Sequence, residues 1–303
     1  MQRVRGQIGV TEKVCGKITG KGVVVAVLDT GLGRHPDMTG RLWAFRDFVN
    51  GRQFMYDDSG HGTHVCGIIC GDGKLSGGKY AGIAPGAGLV VGKVLDGAGD
   101  GSTEDMLKGL EWIDKVDRQY GIRVLNISIG IGDLKDAKKE ARMREQLEAL
   151  WDKGITVICA AGNKGPGNGT ISAIGASRKL ITVGCHDGVF CKYNPRRCET
   201  YSGRGRALSD VRKPDIVAPG TDIISCNCFM TRQNGMVRNG YISKSGTSMA
   251  TPVIAGTAAL FFEKYPQMTN EEFKQKLTFT ALDLGEAWNK QGWGMVNVER
   301  LLD

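Results

Sequence analysis

The 303-residue sequence has no low-complexity tract, no Pro/Gly/Ser-rich linker, no internal repeat and no apolar run approaching the length of a membrane span. These absences speak against an array of small modules and against a membrane-spanning protein, and one domain over residues 1–303 is the expected organisation. The N-terminus, Met1-Gln2-Arg3-Val4-Arg5, lacks the apolar core of a signal peptide, so the expected location is the cytoplasm. No cysteine framework is visible either. The nine cysteines are odd in number, and Cys66, Cys70 and Cys159 lie inside apolar segments, a usage that fits reduced thiols better than disulfides. Charge is not concentrated: the net +8 is spread along the chain and mixed with acids, as in Lys138-Lys139-Glu140-Ala141-Arg142, which argues for a solvated basic surface and against a nucleic-acid partner. Only Lys192 to Arg197 forms a local basic loop.

What the sequence has in quantity is glycine, 45 residues, clustered at the ends of apolar runs where strands meet tight turns. Val23 to Leu28 is a continuous, largely β-branched run of the kind buried on both faces, and similar runs recur at Leu89 to Leu95, Val124 to Ile127, Ile155 to Ala160 and Leu180 to Gly184. Helical patterns lie between and after them: Thr103 to Tyr120, Ala137 to Lys153 stopped by Gly154, the small-residue segment Thr247 to Tyr265, and a final helix for which Asn270 is the expected N-cap. Strands alternating with helices predict a three-layer α/β/α fold with a mainly parallel central sheet.

Three segments carry candidate chemistry. Asp29 ends the most apolar strand, and in an open parallel sheet ligands gather at the carboxyl ends of strands. Ser59-Gly60-His61-Gly62-Thr63-His64 places His61 at the start of an apolar helix, flanked by glycines that permit close backbone approach. A metal pair made of His61 and His64 fails on spacing, since the zinc-peptidase pattern requires His-Glu-x-x-His. Ser248, in Ser245-Gly246-Thr247-Ser248-Met249-Ala250-Thr251-Pro252, opens the small-residue helix where backbone amides are free to hold an oxyanion. The Gly-x-Ser-x-Gly elbow of the α/β-hydrolases is not matched there.

With these segments in the order Asp, His, Ser, the sequence resembles the subtilisin-like serine proteases, and in character the intracellular bacterial subtilisins. The resemblance runs from about Gly20 to the final helix, through the segments ending in Asp29-Thr30-Gly31, His61 to Val65, Ala160-Ala161-Gly162-Asn163, Lys213 to Gly220 and Gly246 to Pro252. It implies a serine endopeptidase acting on polypeptides, with Asp29, His61 and Ser248 as triad and Asn163 as oxyanion donor. It further implies substrate pairing along Gly99-Asp100-Gly101 and Ser128-Ile129-Gly130, and a primary pocket lined by Ala160, Ala161 and Gly162 near Ser172. That pocket is expected to be open and to accept a large residue. Asp100 would favour a basic residue before the cut, and Lys164 would disfavour one at the cut. No cofactor is needed for the chemistry. Calcium is a structural ion in relatives, with Asp37 at one ligand position and Gln2 at a less secure second. The matching ligand loop, Gly71 to Tyr80, is longer here and carries two lysines. Residues Met1 to Ile8 are a candidate short regulatory segment. Zinc at Cys185, His186, Cys198, Cys226 and Cys228 is disfavoured by spacing. Thiols near the cleft are a possible source of oxidant sensitivity. A catalytically silent binding or regulatory protein of the same fold is the alternative, opposed by the presence of all four catalytic positions.

Overall fold

The computed structural model describes residues 1–129, 137–188, 197–207, 210–234 and 236–303. Gly130 and the basic loop through Arg196 therefore lie outside the described residues. In chain order the elements are α1 (Gln2–Gln7), α2 (Glu12–Cys15), β1 (Val24–Asp29), β2 (Leu42–Asp47), α3 (His61–Cys70), β3 (Gly88–Lys93), α4 (Thr103–Tyr120), β4 (Ile122–Ile127), α5 (Ala137–Asp152), β5 (Thr156–Ala160), β6 (Ile181–Cys185), β7 (Ile216–Ala218), β8 (Ile223–Cys226), β9 (Thr231–Gln233), β10 (Met236–Arg238), β11 (Tyr241–Lys244), α6 (Thr247–Lys264), α7 (Asn270–Phe279), α8 (Trp288–Gln291) and α9 (Val298–Leu302).

Seven strands form one sheet in the order β2-β3-β1-β4-β5-β6-β7, and every pairing in it is parallel. Both faces are covered, by α3 and α6 on one side and by α4 and α5 on the other. This covering explains the all-apolar strands, since β1, β3 and β5 are buried at every position. The chain steps from β1 outward to β2 and β3, then returns to the other side of β1 to form β4, which makes the carboxyl end of β1 a topological switch point. Asp29 is the last residue of that strand.

The helix expectations hold closely, with α4 starting on Ser102, whose side chain accepts from Asp105 N, and ending on left-handed Gly121. One cap differs. Thr269, not Asn270, is the N-cap of α7, in a reciprocal capping box with Glu272. Asn270 is instead the first helical residue, and its amide donates to Trp151 O at 2.7 Å, tying α7 to the end of α5. The sequence pattern also misses β2, which is only partly buried, and the short strands β7 to β11.

Cysteine usage departs from the expectation of wholly reduced thiols. Cys185 and Cys198 are paired as a disulfide, with Cα atoms 5.8 Å apart, while Cys15, Cys66, Cys70, Cys159 and Cys226 are buried free thiols. The disulfide takes two donors out of the disfavoured zinc grouping.

The N-terminal segment is built into the body of the protein. Met1, Val4 and Ile8 are buried, the Met1 ammonium donates to Ile224 O, Arg3 pairs with Asp187, and Gln7 donates to the Asp187 carbonyl. None of residues 1–8 lines the cleft described next.

Candidate active site

At the carboxyl end of β1 the chain turns at Thr30-Gly31 and is met by the N-terminus of α3. The approach depends on glycine: a Cβ at Gly62 would lie 2.2 Å from the Gly31 carbonyl oxygen and 3.2 Å from Asp29 Oδ1. Without it, His61 reaches Asp29, and their atoms Nδ1 and Oδ1 are 2.7 Å apart. A carboxylate oxygen only accepts, so Nδ1 carries the proton and Nε2 is left as the base. Thr30 N donates to the same Asp29 oxygen at 2.7 Å. Burial, the largest influence on His61, lowers its pKa, but the charge and hydrogen bond of Asp29 outweigh it and leave the ring above its ordinary value of 6.5.

The α3 N-terminus is held by Asp57, which sequence reasoning missed. Its Oδ1 accepts from Thr30 Oγ1, Ser59 N and Gly60 N, and its Oδ2 from Thr63 N and Thr63 Oγ1, at 2.6–3.1 Å. Burial pushes this carboxyl upward, yet the hydrogen bonds from Thr63, Gly60 and Thr30 hold it below the usual carboxylate value. An aspartate a few residues before a glycine-led helix start was the available signal. Lys93 is a second missed residue. Fully buried beside Asp29 in the β1–β3 register, it donates to Thr30 O at 2.8 Å, Leu95 O at 2.7 Å and Asp58 Oδ1 at 2.6 Å. It thus clamps the turn after β1 to the start of the 96–101 loop, and a lone lysine in an apolar strand pattern was its signal. His64 faces away from the site: its Nε2 lies 2.9 Å from Ile223 O and 3.1 Å from Ile242 O, and burial lowers its pKa to about 3, so it is a neutral structural ring.

Ser248 comes from the same face of the sheet as His61, as the second residue of α6, which packs against α3. The helix begins on Gly246 at φ +145, a conformation reserved for glycine. Asn163, at the loop following β5, accepts from Thr247 N at 3.2 Å and Thr247 Oγ1 at 3.0 Å. Those contacts fix the amide with its oxygen inward and leave Nδ2 with no protein partner among the described residues. Ser248 N–H is likewise unengaged there. A Cβ on Gly246 would stand 3.4 Å from Asn163 Nδ2 and 3.8 Å from Ser248 N, so the two free donors flank one small space.

His61 and Ser248 line one cleft of about 520 Å³ together with Gly99, Asp100, Gly101, Ser128, Ile129 and Lys244, among others. The structure thus brings together most of the residues expected to bind substrate. Ala160, Ala161 and Gly162 are buried outside that lining, their carbonyls accepting from Ser172 and Gly203. Cys228 is half-buried next to Gly60, and burial raises its thiol to about 11, which opposes thiolate reactivity at neutral pH.

The donors around Asp37 do not fit a calcium ion. Asp37 is fully buried, its Oδ1 accepting from Leu75 N at 2.9 Å and its Oδ2 from Tyr241 OH at 2.6 Å. Asp72 in the neighbouring loop accepts from Lys74 N and pairs with Lys74 Nζ. Gln2 is exposed in a shallow depression with Arg5 and Lys79, two cations where a calcium site needs carboxylates. The expectation for Asp37 and Gln2 is corrected accordingly: protein donors already engage both Asp37 oxygens, and Gln2 lies beside two cations.

A family model described as the subtilase family matches residues 20–294. Serine protease AprX of Bacillus subtilis (strain 168) is 40% identical over 93% of this chain, and subtilisin Savinase of Lederbergia lenta is 36% identical over 93%. The match covers 66% of AprX and 91% of Savinase, so the chain spans slightly less than two thirds of the first of these. Among solved structures, Sphericase superposes with a TM-score of 0.77 at 27% identity, over 95% of this chain and 96% of its own.

Proposed function

The chain belongs to the subtilase family of serine peptidases, and on that premise we propose that it is an endopeptidase that cleaves polypeptides through an acyl-enzyme, with Asp29, His61 and Ser248 as its catalytic triad. A serine hydroxyl is too weakly acidic to attack an amide unaided. His61 Nε2 takes the Ser248 proton as Oγ bonds to the scissile carbonyl carbon, then returns it to the departing amine; water repeats the sequence to release the acid. Asp29 holds the ring in the tautomer that leaves Nε2 free and stabilises the imidazolium.

The carbonyl oxygen, negative in the tetrahedral intermediate, is received by Ser248 N–H and Asn163 Nδ2. The observation that carries the reading is this pair of unengaged donors beside Ser248, in a cleft shared with an Asp-oriented His. A donor of the Asn163 type contributes about 3 kcal/mol to the transition state, or 10²–10³ in kcat. Substrate lies extended along Gly99-Asp100-Gly101 and Ser128-Ile129, pairing backbone to backbone, and exposed Asp100 favours a basic side chain on the acyl side.

Labelling with a fluorophosphonate probe tests this. The intact protein is expected to label at Ser248 and the Ser248→Ala variant not at all, with Asn163→Ala labelling more slowly by the factor above. Failure of the intact protein to label would sink the active-peptidase reading.

A further inference from the structure

On the reading above, the departing half of the substrate leaves past His61, because Nε2 must reach the leaving amine to protonate it. The residues bordering His61 on that path play no part in the proposed chemistry. Lys244, the last residue of β11, lines the same cleft as His61 and Ser248, and three residues of chain separate it from Ser248. Its ammonium makes no hydrogen bond or ion pair among the described residues, in contrast to Lys93, Lys179, Lys213 and Lys274, each of which is paired with a carboxylate. Its charge nevertheless reaches His61. Phe229 lies against the backbone of Gly60, whose Cβ position is 3.1 Å from the ring, and it is 57% exposed with no aromatic neighbour among the described residues. Lys244 gives the cleft one unsatisfied cation, and Phe229 offers a bare aromatic face beside it, against Gly60, which stands between the cleft-lining Ser59 and His61.

We propose that Lys244 selects the residues on the leaving side of the scissile bond, favouring polypeptides with an acidic side chain in the first two positions after the cut, and that Phe229 beds the apolar part of the same segment. The inference rests on the peptidase reading. An unpaired cation in a partly enclosed cleft attracts a carboxylate more strongly than one on open surface, because low-dielectric walls focus its field. A basic residue in the same place is repelled.

The test uses two sets of internally quenched peptides. One set differs only in the two positions after the cut (Ala, Glu or Lys) and the other only in the two positions before it. The wild-type protein is expected to cleave the Glu-after peptide about fivefold faster in kcat/KM than the Lys-after peptide, an advantage that shrinks at high salt. In Lys244→Gln the ratio falls to about one, and in Lys244→Glu it inverts. Equal rates for the two by the wild type, a ratio that survives in Lys244→Gln, or a Lys244 effect confined to the before set each overturns the inference while leaving the peptidase reading intact. Absence of cleavage of every peptide, together with absence of fluorophosphonate labelling, overturns both.

Discussion

At the scale of single residues, the Asp29–His61 pair makes activity depend on pH in a definite sense. A protonated His61 has no lone pair at Nε2, so kcat/KM falls as pH drops through the pKa of the ring. The carboxylate of Asp29 raises that value above 6.5 despite burial. The acid limb of the kcat/KM profile is therefore expected above pH 6.5, and in Lys244→Gln it moves higher, because the lost ammonium opposed protonation of the ring. A limb below 6.5, or a shift the other way in the variant, would mean that burial outweighs the Asp29 carboxylate at this ring. Stability responds in the opposite sense. A group whose folded-state pKa is raised contributes stability that is complete below its unfolded value and is lost as pH rises through its folded value, so the pH range that frees the base forfeits this contribution. Sequence alone reached Asp29, His61 and Ser248 because each sits at a strand end or helix start near glycines, and Asn163 through the family resemblance of the Ala160-to-Asn163 segment. It did not reach Asp57 or Lys93, whose roles come from hydrogen bonds to backbone groups of the β1 turn and the α3 N-terminus that pairing and packing bring together.

At the scale of elements, the link between the 71–80 loop and β11 shows how a polar position can be kept while its partner changes. Asp37 is buried with donors from Leu75 and Tyr241 on its two oxygens, and the Tyr241 ring also packs on Tyr80 with centroids 4.7 Å apart. Thermal stability is therefore expected to be the same with a calcium chelator as without one, whereas Tyr241→Phe, which leaves a carboxylate oxygen buried and unpartnered, is expected to cost about 1–3 kcal/mol. Thermal unfolding followed by circular dichroism with and without chelator separates the two, and a chelator-induced fall of several degrees would refute this account of Asp37. The loop's two lysines were legible as a departure, but the tyrosine that binds Asp37 was not, since it lies 204 positions from Asp37 in the sequence. The same limit governs the strands: β1, β3, β4, β5 and β6 were readable from continuous apolar runs, while β2 is exposed at two of its six positions and shows no such run. Asn270 was misread as a cap because Asn and Thr both favour that position; the reciprocal bond from Glu272 decides for Thr269.

At the scale of the whole molecule, the N-terminal helix acts as a strap. Its Arg3 joins Asp187, which also accepts from Gly220 N and Thr221 N, and Gly220 O in turn accepts from Gly246 N at the start of α6. Removal of residues 1–8 exposes the sites of Val4 and Ile8, both 1% accessible, at roughly 1.5–3 kcal/mol per side chain. The truncated protein is expected to melt at lower temperature with no gain in fluorophosphonate labelling; stronger labelling after truncation would instead mark the segment as an inhibitor. One feature of the sheet reaches beyond catalysis. Because all seven strands run the same way, the fold has a working pole, where β1 delivers Asp29, and a rear pole, where α4 and α5 turn back into β4 and β5. Gln119, exposed at that rear pole in the last turn of α4, is a natural graft point for a surface tether, which would leave left-handed Gly121 intact and the mouth of the enzyme facing the bath.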